Sequence, residues 1–152
     1  MRYLVLVAVI FLSGCASTFQ VPSSGTDFTL DSCTPLLNCV SSTSSIFLYQ
    51  VDPIQLTHAL DEASWENIKS VAVELDGASV NDSRFGYLDM TCFSQVFSFP
   101  DYFEILVSED RKSLDVRSQS LIGLYDFGVN RRRVETLTRE LVGLGLAKAV
   151  AE

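Results

Sequence analysis

Apolar positions along the chain change period several times, and each change predicts an element. Residues 3–12 are almost wholly apolar, with no alternation. Residues 16–31 are rich in Ser, Thr, Pro and Gly and predict a flexible tether. Residues 32–45 read as loop, with turn formers and a Ser/Thr cluster. Asp52-Pro53 then offers an N-cap carboxylate and a first-turn proline. Leu56, Ala59, Leu60 and Ala63 follow at helical spacing, and Trp65, Ile68 and Val71 carry the apolar side onward. From residue 71 the period reads as two: Val71, Val73 and Leu75 predict a strand, ended by a turn at Asp76-Gly77. A second strand over roughly 84–94 puts Leu88, Met90 and Cys92 on one face. Pairing Val73 with Leu88 and Val71 with Met90 keeps the aliphatic faces together.

The next hairpin is more tightly specified. Segments 102–108 and 113–119 flank Glu109-Asp110-Arg111-Lys112, a four-residue loop. Pairing Ser108 with Ser113 places Phe103, Ile105 and Val107 on one face with Leu114, Val116 and Ser118. The other face then pairs Leu106 with Asp115, Glu104 with Arg117 and Tyr102 with Gln119. A one-residue slip would mix the faces and separate Glu104 from Arg117, which as an exposed pair would contribute about 0.2–1 kcal/mol. Helical spacing returns at the C-terminus, where Phe127, Val134, Leu137, Leu141 and Leu144 share a stripe with Asn130. A helix capped by Asp126 buries Asn130, whose amide then needs partners. A start at Asn130 would crowd Arg131, Arg132 and Arg133 against the helix dipole. The helix should fray after Gly143 and Gly145. The order predicts an α+β fold: a two-layer sandwich in which an antiparallel four-stranded sheet carries an N-terminal helix and a long C-terminal helix. What covers the other sheet face is open, and an exposed groove is one answer.

The N-terminus reads as an address. Arg2 precedes a ten-residue apolar run, too short to span a bilayer but right for a signal-peptide core. Leu12-Ser13-Gly14-Cys15 resembles a bacterial lipobox. That resemblance implies removal of residues 1–14, lipidation of Cys15, a lipidated tether over 15–31 and a single domain over 32–152. It implies a palmitate-type membrane anchor in the cell envelope. Ala16, where Asp would signal inner-membrane retention in enteric bacteria, points to the outer membrane facing the periplasm.

The net charge of −8 argues against a phosphate-backbone binder, so no nucleic-acid partner is expected. With Cys15 taken by lipid, Cys33, Cys39 and Cys92 remain, which allows one disulfide at most. Cys33–Cys39 is the local candidate, Cys92 reads as a small buried hydrophobe, and bridges to Cys92 stay open. No C-x-x-C pair supports thioredoxin-like chemistry or a zinc ribbon. His58 is the only histidine, read as an exposed helix residue, and no G-x-S-x-G elbow accompanies it. No cofactor and no metal are expected. Asp76, Asp82, Asp89 and Asp101 read as turn formers or solvated strand residues. Asp126-Phe127-Gly128 matches a kinase tripeptide by chance, without the rest of that machinery.

Three separated motifs are similar to those of the bacterial domain-of-unknown-function family 1499. They are Cys33-Thr-Pro-Leu-Leu-Asn-Cys-Val-Ser-Ser42, Phe99-Pro-Asp-Tyr-Phe-Glu104, and the run from Arg117-Ser-Gln-Ser120 through Gly123 and Asp126-Phe-Gly-Val-Asn130 to Arg131-Arg-Arg133. The resemblance spans about residues 32–142. Leu121 stands where the family has a basic residue, and Leu37 where it has proline. The family carries no established activity.

Arg117, Asn130, Arg131, Arg132 and Arg133 are the candidate ligand residues, since guanidinium forks suit a phosphate or carboxylate. The simpler reading pairs Arg117 with Glu104 and the others with nearby acids such as Glu135. Phe93, Phe97, Phe99, Tyr102 and Phe103 read as core, or as one wall of a lipid groove. The function expected is a non-enzymatic binding or interaction module for an envelope ligand: a lipid, an anionic metabolite or a protein. The alternatives are a small hydrolase using carboxylates near Arg117 and Asn130, and a structural scaffold.

Overall fold

The computed structural model describes residues 29–94 and 98–149. The expected signal peptide, Cys15, Phe97 and most of the expected tether lie outside the described residues. The chain folds as α+β, with a mostly antiparallel sheet of six strands and two helices, rather than the four strands expected. The strands are β1 (Cys39–Ser41), β2 (Ile54–Gln55), β3 (Ala78–Arg84), β4 (Tyr87–Phe93), β5 (Pro100–Val107) and β6 (Ser113–Ser120). The helices are α1 (Glu62–Val73) and α2 (Val129–Gly143), and Phe47–Tyr49 makes a 3-10 turn. Strand order is β1-β6-β5-β4-β3, with β2 also pairing β6.

The β5–β6 hairpin has the register that its two-sided pattern predicts: Tyr102 opposite Gln119, Glu104 opposite Arg117, Leu106 opposite Asp115. On one sheet face Leu88, Met90, Phe103, Ile105, Leu114 and Val116 join Trp65, Ile68 and Ala72 of α1 and Val134, Leu137 and Leu141 of α2 in a single core. Cys92 is buried in it, as expected of a small hydrophobe. Cys33 and Cys39 form a disulfide, which settles the pairing left open.

Four local readings are corrected. Asp52-Pro53 starts no helix: Ile54–Gln55 is strand, Leu56 bridges Ala147, and His58 is exposed in a loop. The helix starts instead at Glu62, where Asp61 and Ser64 form a capping box, Ser64 N–H donating to Asp61 Oδ1 at 2.8 Å and Asp61 N–H to Ser64 Oγ at 3.0 Å. Val71, Ala72 and Val73 continue that helix, so neither Val73 nor Val71 pairs with β4. Ile68 and Ala72, four apart and fully buried, show the period that won. The partner of β4 is the polar edge strand β3, which carries a bulge between Val80 and Asp82. Finally, α2 begins after Gly128, whose φ of +76° suits glycine at its N-cap. Phe127 therefore lies before the helix and Leu144 after its end at Gly143, and both are exposed.

Candidate functional site

The three motif segments meet at one end of the sheet, where the start of β1 lies beside the end of β6 and β6 passes into the loop before α2. Asn130 on the first turn of α2 is fully buried. Its amide donates to Asn38 O and Ser120 Oγ, both at 3.0 Å. Its carbonyl oxygen accepts from Ser118 Oγ at 2.6 Å and from Arg133 at 2.8 Å. Arg133 also reaches Ser118 Oγ at 2.9 Å and closes on Asp101 at 2.6 Å, a buried ion pair rather than one with Glu135. Asn38 donates from its side chain to Gly123 O at 2.7 Å and Ser120 O at 3.2 Å. Asp126 accepts from the backbone N–H groups of Gly128 and Asn130, both at 2.9 Å, and so caps the helix from two residues outside it. Buried polar groups are tolerable when satisfied in this way.

This network fixes the loop 121–128. Asp126 N–H donates to Leu37 O, and Tyr125 forms a bridge with Leu37. Phe127 is held at φ +53°, a left-handed conformation that costs a non-glycine residue about 1–2 kcal/mol. The side chains so displayed are apolar: Leu124 is 72% exposed, Tyr125 56% and Phe127 77%, with Leu37 and Ile122 exposed beside them. Tyr125 and Phe127 pack edge to face, ring centroids 4.9 Å apart.

A second polar cluster lies on the sheet face away from the helices. Adjacent residues of a strand point to opposite faces, so Arg117 and Ser118 face apart. Arg117 donates to Glu104 at 2.8 Å and to Gln119 at 2.7 Å. Tyr87 adds a hydrogen bond to Glu104 at 2.8 Å, and Gln119 donates to Thr34 at 2.8 Å. The Glu104–Arg117 pair exists as expected, but it is buried, not exposed. The cover is the segment leading into the disulfide, where Leu30 packs on Tyr87 and Leu106 and Thr34 on Gln119. Burial raises the pKa of Asp89, which accepts from Asn81 and sits across from Glu104. It raises those of Tyr87 and Tyr102 as well. Asp89 and Asp101, expected in solvent, are both buried.

The arginines are thus distributed, not gathered. Arg117 belongs to the outer face and Arg133, with Asn130, to the loop network. Arg131 donates to Gln50 O at 2.9 Å and Arg132 to Phe127 O at 2.9 Å. Among the aromatics, Phe103 and Tyr102 are buried, whereas Phe93 and Phe99 are half exposed. The exposed apolar loop was missed in the sequence, although Asp126-x-Gly128 ahead of a helix is a turn signal that separates Phe127 from the helical stripe. Among the described residues, no group of three or more His, Cys, Asp or Glu is placed to hold a metal ion, and no helix is long and apolar enough to cross a membrane.

These features define an α+β domain whose separated motifs are joined in one buried hydrogen-bond network. The chain belongs to the family described as protein of unknown function DUF1499, which matches residues 29–141. No curated protein and no solved structure matches it.

Proposed function

We propose that this protein is a lipid-anchored component of the bacterial envelope, held through Cys15 at the outer membrane and facing the periplasm. Its folded domain is a non-enzymatic binding module for an envelope ligand. The observation that supports this reading is the loop 121–128: buried polar groups hold it fixed while Leu124, Tyr125 and Phe127 face outward. Large apolar side chains in a fixed display suit a contact surface. The Leu12-Ser13-Gly14-Cys15 sequence supports the anchor. The test is intact and native mass spectrometry of the chain recovered from envelope fractions. The expected result is loss of residues 1–14, an acylated Cys15 and co-purification with membranes. An unmodified Cys15 in the soluble fraction would refute the anchor, and a lipid or anionic metabolite retained on the domain would name its ligand.

One observation favours a second reading, a small hydrolase. Asp89 and Glu104 face each other across β4 and β5, with Arg117 next in the row and burial raising the pKa of Asp89. Turnover of ester, amide or glycoside reporters, lost in Asp89→Asn, would support it.

A further inference from the structure

We propose that the loop 121–128, with Leu37 beside it, is a membrane-contact surface, so that this end of the domain rests on the phospholipid headgroups. The proposal deepens the anchored reading above and rests on it. Three observations carry it.

The first is the character of the display. Leu124, Tyr125 and Phe127 mix aliphatic and aromatic side chains of the kind that settle at a bilayer interface. They stand on a backbone held by Asn38, Asp126 and Asn130, so they cannot fold back into the core.

The second is charge. The chain carries −8 overall, yet three consecutive arginines follow this loop. Arg133 is paired with Asp101. Arg132 stays exposed, its guanidinium bonded to Phe127 O directly behind the apolar tips. With the tips in the interface, that cation sits at the depth of the phosphates. Anionic lipid would repel other, more acidic surfaces of the domain and favour this end.

The third is reach. Thirteen residues, 16–28, separate Cys15 from Thr29, and an extended chain spans at most about 3.3–3.6 Å per residue, or roughly 43–47 Å. Leu30 packs on Tyr87 and Leu106, near the end of the sheet remote from the loop. Leu106 lies opposite Asp115, six residues before Leu121 along β6, or about 20 Å at strand rise. A tether anchored at Cys15 therefore allows the loop to touch the same membrane.

The test uses the full chain, purified with its native processing and placed in vesicles of phosphatidylethanolamine and phosphatidylglycerol. Phe127→Trp adds a reporter at the tip, and the native Trp65, buried on α1, supplies the background in the parent chain. The expected result is a blue-shifted emission from the introduced indole in vesicles, quenched by brominated phospholipid and shielded from aqueous acrylamide. Leu124→Ser with Tyr125→Ser should abolish the shift without unfolding the domain, since both side chains are exposed. Flotation and intact mass of the same samples read the anchor separately. A chain that is acylated and floats, yet whose introduced indole emits as in water, overturns the contact surface and leaves the anchor standing. A chain without acylation overturns the anchor, and the contact surface as proposed falls with it.

Discussion

Removing one partner of the Glu104–Arg117 pair should remove much of the stability margin, and removing both should restore most of it. Each side chain is almost wholly inaccessible, at 0% and 1%. Arg117→Met takes away bonds to Glu104 Oε2 at 2.8 Å and Gln119 Oε1 at 2.7 Å and leaves the Glu104 carboxylate, still bonded by Tyr87, without this guanidinium beneath the N-terminal segment. A buried charge left without its partner costs about 3–5 kcal/mol. That is at least about a fifth of a total of roughly 5–15 kcal/mol, and at about 4 °C per kcal/mol it lowers Tm by about 12–20 °C. Glu104→Leu should cost about as much, since it strands the guanidinium and the Tyr87 hydroxyl. The double variant removes both charges and leaves two neutral groups short of a partner, the Tyr87 hydroxyl and Gln119 Oε1, at roughly 1 kcal/mol each, the low end for such groups. Arg117 Nε already lacks a hydrogen-bond partner among the described residues, so the native pair is not fully compensated and its apolar replacement loses less. The assay is urea unfolding of the four chains followed by circular dichroism, in low and high salt. The single variants should keep the parent m-value, and salt should change the parent little, because a buried pair is poorly screened. Additive single costs, or a single cost below about 1 kcal/mol, would refute the reasoning.

Asn130→Ala should cost about 3 kcal/mol, since it leaves buried donors and acceptors of Ser118, Ser120 and Arg133 unmatched, and hydrogen exchange should rise first over Gly123–Gly128. Cys33→Ser with Cys39→Ser opens a loop with a sequence separation of 6 and should lower stability by about 2–2.5 kcal/mol, read by thermal unfolding with and without reductant. Cys92, pushed up to about 11 by burial, should resist alkylation in the folded chain and react only as it unfolds. Asp89→Asn should raise stability at neutral pH. Burial lifts the native pKa of Asp89 above its unfolded value, so the ionised form opposes folding above the native pKa and that penalty fades as pH falls through it; the gain should shrink in acid, and a gain independent of pH would count against the assignment.

The β5–β6 hairpin was legible because three constraints agreed: a four-residue loop, two distinct faces and one opposite-charge pair. No other register satisfied all three. The C-terminal helix was legible from Val134, Leu137 and Leu141, and its buried Asn130 from the stripe they define. The segment 71–75 was not, because Val-Ala-Val-Glu-Leu fits a two-residue period while Ile68 and Ala72 fit a helical one. Burial of Ala72 against the sheet decided it, a tertiary effect outside that window. Strands of two and three residues, such as β2 and β1, are shorter than any period can register. Asp89 and Asp101 looked solvated for a similar reason. Asp89 accepts from Asn81 and lies opposite Glu104 on the outer face, and Asp101 is closed over by Arg133 reaching back from α2, contacts that join positions apart in sequence.

The candidate site divides along the same line. Its residue types were visible, and their grouping was not. Arg117, buried, and Arg133, half-buried, are both paired, but alternation along β6 sends Arg117 to one face and Ser118, the contact of Arg133, to the other. An anion pocket built from all four arginines would need them to converge, and each instead donates to a protein acceptor. The polar residues of the motifs serve the backbone: Asn38 and Asp126 hold carbonyl and N–H groups of the loop, and Asn130 ties the loop to β1 and β6. The product of that network is a surface, and its chemistry is set by the side chains the loop carries. Leu37 and Leu121, where the motif resemblance implies proline and a basic residue, both fall at this end, and Leu121 leaves it without that cation. Buried hydrogen bonds orient Leu124, Tyr125 and Phe127 toward solvent, and under the proposed membrane contact these apolar tips suit lipid better than an anion in water.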